Sequence, residues 1–145
     1  MTDETIEQEI QAKGLTAPRV TPADIEASII GECYFTAEQG RAAAVAPDGS
    51  NHERGYFGLP GQGRPLDLLT FCVLVLRNGF TVTGESACAS PENFDAEVGR
   101  KIARQNAVQK IWPLLGFRLR DELARPVLTD ADAAADRAGT PRPSR

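Results

Sequence analysis

Apolar residues crowd into one part of this chain. From Leu68 to Leu76 nearly every position is apolar, Asn78-Gly79 follows, and a second strand-like run extends from Phe80 to Ala87. Asn-Gly between apolar runs is a strong hairpin signal, because a type I′ turn needs positive φ at both central residues. A two-residue loop sets Arg77 opposite Phe80, Val75 opposite Val82 and Val73 opposite Gly84, and places Leu76, Leu74 and Cys72 opposite Thr81, Thr83 and Glu85. The first strand is apolar on both faces, so both should be covered, one by helices and the other by more sheet or a second subunit.

Helical spacing flanks this hairpin. Thr21-Pro22-Ala23-Asp24 supplies a cap, a proline at the first helical position and an early acid, with Ile25 and Ile29 on one face. This predicts a helix over about 22–30 and a short strand over 32–36. After the hairpin, Ser90-Pro91-Glu92 repeats the same start. Phe94, Val98 and Ile102 then recur every four residues as a core stripe, and Glu97 stands four before Lys101. This helix should run from 91 to 112, break or kink at Pro113, and be followed by a second segment over 113–124 that buries Leu115, Leu119 and Leu123. The expected architecture is α+β: a small antiparallel sheet built on the 68–87 hairpin, packed against two C-terminal helices.

The rest of the chain has weaker patterning. Residues 1–20 form an N-terminal arm with a thin helical stripe at Ile6 and Ile10 and a stop at Gly14. Residues 38–65 are rich in glycine and proline and read as a flexible loop inside a single domain over 21–125. Gly58-Leu59-Pro60-Gly61-Gln62-Gly63 lacks the Lys-Ser/Thr ending of a phosphate loop and the glycine order of a dinucleotide site. Residues 126–145 lack an apolar stripe and read as a disordered tail, with Asp130-Ala131-Asp132 lacking partner ligands for a metal.

Composition narrows the chemistry. The 145 residues amount to one domain, with a net charge of −4. Eight acids face two bases in residues 1–38, whereas seven bases face two acids in residues 99–125. The overall balance is too acidic for a duplex nucleic-acid binder. No run approaches the roughly 20 apolar residues of a membrane span, and no leader pattern opens the chain, so a cytoplasmic location is expected. Three cysteines, Cys33, Cys72 and Cys88, are odd in number and far apart, which argues for free thiols, with Cys72 and Cys88 buried, rather than a disulfide or zinc framework. His52 is the sole histidine and stands in the glycine-rich loop, away from any marked nucleophile. The expectation is therefore a protein that is not an enzyme, with no cofactor and no metal.

A binding site is best sought where the second strand enters the capped helix start. Free amides at a helix N-terminus attract anions. Around it, Gly84 leaves room for close approach, Ser86, Ser90 and Asn93 offer neutral hydrogen bonds, Phe80 or Phe94 offers a stacking face, and Arg100 and Arg104 supply charge. Each of these residues also has a plain structural use, as cap, core or solvated face. As a group they point to a small nucleotide-like anion.

Residues 19–123, and above all NGFTVTGESACASPENFDAEVGRKIA, resemble the phage gene product 49 / gene 66 family. The resemblance implies origin in a phage or prophage and does not itself imply an activity. The order of elements is also similar to the Thoeris anti-defence type-one proteins, oligomeric phage sponges that bind signalling nucleotides without cleaving them. That likeness implies a sponge pocket using Phe80, Asn93, Arg100 and Arg104, and a homo-oligomer. The alternative is a phage protein acting through contact with a host or phage protein partner.

Overall fold

The computed structural model describes residues 2–44, 55, 64–125 and 128–143. Its centre is the expected hairpin, strands β2 (Leu69–Leu76) and β3 (Thr81–Ala87), joined on the far side of β2 by β1 (Ile29–Thr36). All pairing is antiparallel, in the order β1-β2-β3. One long helix, α4 (Ala96–Ala124), lies across one face of this sheet, so the α+β architecture is as expected.

The hairpin loop has three residues rather than two. The Gly79 amide donates to the Leu76 carbonyl and the Leu76 amide to the Phe80 carbonyl, both at 2.8 Å. Gly79 sits at φ +84, while no described non-glycine residue has positive φ, so a type I′ turn, which would need it at Asn78 as well, is excluded. The extra residue slides the register by one: Leu74 lies opposite Val82 and Cys72 opposite Gly84. This register puts Val82 and Gly84 on the same side as Thr70, Cys72, Leu74 and Leu76, all buried beneath α4. The two-residue loop would instead have turned Thr83 and Glu85 toward the core.

Helix α4 also differs from its sequence pattern. Pro91–Asn93 is a single 3-10 turn, and the helix is capped by Asp95, whose carboxylate accepts from the Val98 amide at 2.9 Å. The helix then continues through Pro113 instead of breaking there. Proline costs a backbone hydrogen bond, and the burial of Ile111 and Leu115 on either side holds the two halves in line. The buried stripe is Gly99, Ala103, Ala107, Ile111 and Leu115, one position later than the stripe of Val98 and Ile102, which are exposed.

Small residues occupy that stripe because helix and sheet nearly touch. A Cβ on Gly84 would run into the Ala103 carbonyl oxygen and the Ala107 nitrogen, and would lie 2.9 Å from Ala107 Cα. A Cβ on Gly99 would come within 3.1 Å of Thr70 Oγ1. Ile25 from α2 (Pro22–Ser28) closes the core on the β1 side; Thr21 caps that helix as expected, and Asp24, expected only as an early acid, also accepts from the Thr21 amide at 2.9 Å.

The peripheral segments are more ordered than their composition suggests. Helix α1 (Asp3–Ala12) docks, with Trp112 Nε1 donating to Asp3 Oδ2 at 3.2 Å and Arg19 gripping Glu7 through two bonds of 2.5 and 2.6 Å. Helix α3 (Ala37–Ala44) occupies the start of the expected flexible loop. Its buried Glu38 holds both Arg41 and Arg64 at 3.0 Å. Residues 130–138, expected to lie in a disordered tail, form helix α5 (Asp130–Ala138). There Asp132 reaches back to cap its own helix with Thr129. His52, the segment Tyr56-Phe57-Gly58-Leu59 and the glycine run 58–63 lie outside the described residues.

Candidate functional site

The structure distributes the sequence-predicted site residues over the length of the molecule. Phe80 sits at the hairpin end, beside the last third of α4. Ser90, Asn93 and Arg100 sit at the opposite end, where α4 begins. Strand β3 between them has seven residues, or roughly 23 Å at 3.3 Å each. Within one chain, Phe80 therefore does not meet Asn93 or Arg100.

The α4 start is also poorly suited to an anion. Asp95 already fills the Val98 amide, and Glu97 adds a second negative charge in the first turn, where the dipole favours such charge and an incoming anion would be repelled. Gly84 is buried under the helix and serves close packing, not ligand approach. Ser90 makes no capping bond with its side chain, and its carbonyl accepts from Cys88 Sγ at 3.2 Å. Ser86 is half-buried opposite Thr70, and Asn93 and Arg100 are exposed.

Arg104 has a structural partner set. Its guanidinium donates to both Glu26 oxygens at 3.0 and 2.9 Å and to Glu32 at 3.1 Å, tying α2 and β1 to α4. The hydrogen bonds from Arg104 lower the Glu26 pKa, and the same bonds raise that of Arg104. Two carboxylates on one guanidinium leave little for a ligand. The acidic front and basic back of the sequence thus meet here as internal pairing.

The thiols are spread as well. Cys72 is buried beside Tyr34, Cys88 is half-buried and Cys33 is exposed. Burial pushes the Cys72 thiol up and the Tyr34 hydroxyl to about 12, which keeps both protonated. No three acidic, cysteine or histidine side chains among the described residues gather in a metal-binding group. No helix among them is long and apolar enough to cross a membrane.

What the structure does assemble lies at the hairpin end. A groove of about 600 Å³ runs between α2, the hairpin loop and the last third of α4. Leu76, Leu115 and Val20 line it, with Phe80 and Phe117 exposed at 54% and 72%. Arg19, Arg77 and Arg118 set against Asp24, Asp121 and Glu122 carry its charge. Arg77 Nε donates to the Ala27 carbonyl at 2.6 Å, which ties the loop to α2. Of the sequence-predicted residues only Phe80 belongs to this groove. Phe117 and Arg118 are not singled out by the sequence pattern, and their meeting with Phe80 depends on α4 continuing past Pro113.

Fold and site together define a small α+β protein, a three-stranded sheet under one long helix, with an open, mixed-charge groove among its concave features. Comparison with known families is specific about its kind. The profile of the phage protein (N4 Gp49/phage Sf6 gene 66) family matches residues 20–123, and the chain belongs to that family. The match covers α2, the whole sheet and nearly all of α4. No curated protein and no solved structure matches the chain.

Proposed function

We propose that this phage protein works by capture rather than catalysis, sequestering a small nucleotide-derived anion in the groove at the hairpin end. The groove carries this reading. Its volume of about 600 Å³ is that of a small-ligand site, Phe80 offers a face for a ring, and Arg77 and Arg118 offer charge for a phosphate. Asp121 and Glu122 on the same lining limit attraction to polyanions, which favours a compact ligand with a ring and few charges. Capture of this kind would act in the cytoplasm of a bacterial host.

Titration calorimetry with cyclic ADP-ribose and cyclic oligonucleotides tests it. The expected result is saturable heat with one of them, weakened about tenfold or more by Phe80→Ala or Arg118→Ala, with the ligand recovered intact. An absence of heat at tens of micromolar would overturn the ligand class, and a converted ligand would overturn capture without catalysis.

A second reading, docking on a host or phage protein, is favoured by the outer face of the sheet. Phe71, Val73 and Val75 are half-buried there, next to the exposed Cys33. A stoichiometric partner recovered from infected cells, and lost with Val73→Asp, would support it.

A further inference from the structure

One groove residue is already engaged by the N-terminal helix. Arg19 lines the groove, but both terminal nitrogens of its guanidinium donate to the Glu7 carboxylate of α1, at 2.5 and 2.6 Å. Glu7 itself is not part of the lining. Every other lining residue, from Val20 to Glu122, lies inside the segment matched by the family profile, whereas Glu7 and Arg19 both precede it.

This contact decides the charge balance of the groove. With Arg19 neutralised by Glu7, Arg77 and Arg118 are left against Asp24, Asp121 and Glu122, two cations against three carboxylates. Released, Arg19 brings the balance to three against three and adds a fork of donors that matches a phosphate. A ligand's phosphate and the Glu7 carboxylate thus compete for one guanidinium.

Helix α1 is held lightly enough for that competition to matter. It buries none of its residues, and Ile6 is 40% exposed. Its ties to α4 run through Asp3 alone, which accepts from Trp112 Nε1 at 3.2 Å and from Gln109 Nε2 at 3.5 Å. A surface segment with so little buried apolar area opens at low cost in free energy. From these observations we infer that α1 is an autoinhibitory latch on the groove: Glu7 withholds Arg19 until an anionic ligand draws it away, and the helix is then released. The inference rests on the capture of an anion proposed above and adds its regulation.

Calorimetric titration of the full chain with adenosine monophosphate (AMP), at up to millimolar concentration, tests it. Glu7→Gln should tighten binding about fivefold, the worth of a partly exposed ion pair. In an Arg19→Gln chain the same Glu7→Gln change should bring no gain, because there is no guanidinium to free. Amide exchange in α1 should quicken when the native chain is saturated with AMP. Equal affinities of the native and Glu7→Gln chains, the same gain without Arg19, or unchanged exchange in α1 would overturn the latch and leave the groove reading standing. No heat from any of these chains would overturn the groove reading, and the latch with it.

Discussion

Two apolar stripes run side by side along α4, and they are used in opposite ways. The inner one is made of small residues at its start, Gly99, Ala103 and Ala107, and is sealed against the sheet. The outer one carries Val98 and Ile102 and remains exposed. Residue hydrophobicity alone would assign them the other way round. The deciding factor is distance: with Gly84 on the strand beneath, the helix axis comes so near the sheet that a large side chain has no volume to occupy.

The sharpest way to break this contrast is to add one carbon at the contact. Gly84→Ala places its Cβ against backbone atoms of Ala103 and Ala107, which cannot rotate away. The expected loss is about 4 kcal/mol or more, at the upper end of overpacking costs, read as a collapse of the urea midpoint. Next in size is Leu74→Ala, which empties a fully buried position beneath the helix. It should cost about 3 kcal/mol by the same measurement.

Arg104 sharpens the comparison at the flank of the inner stripe. Its pairs with Glu26 and Glu32 are partly exposed, so Arg104→Ala should cost only about 1 kcal/mol. The pH dependence follows from the same contact. Glu26 has its pKa lowered in the folded chain, first by the Arg104 hydrogen bonds, and Glu7 is held at about 2 by those from Arg19. Both contributions are therefore complete above the unfolded carboxylate pKa and are lost as pH falls below it through the folded values. Melting temperature should fall from about pH 5 down to about pH 2, and less steeply in Arg104→Ala. The smallest effect belongs to the outer stripe: Val98→Ser should shift the stability of the dilute chain by no more than about 0.5 kcal/mol.

How much of this was legible in the sequence varies by element. The hairpin strands, the cap at Thr21 and the free state of the cysteines follow from local pattern. The loop length did not, because Asn-Gly suits both a two-residue turn and a three-residue turn with glycine last; burying Val82 rather than Thr83 decides between them. The face of α4 was misread for a related reason. Local periodicity records which residues are apolar, whereas the choice between two apolar stripes is made by Gly84, a dozen or more residues away in sequence. The candidate site suffered most. Phe80 and Arg100 are close in sequence yet stand at opposite ends of β3, and Arg104 is spent on acids from the N-terminal third of the chain. The groove that does form depends on α4 running through Pro113, which local rules argue against.

Neighbouring residues on one turn of α4 give the most direct test of that orientation. Urea midpoints of Ile102→Ala and Ala103→Leu, measured on dilute protein, should differ widely: the first near that of the native chain, the second lowered by about 3 kcal/mol of stability. A large loss in Ile102→Ala with little change in Ala103→Leu would mean that the helix presents its other stripe to the sheet, contradicting the packing.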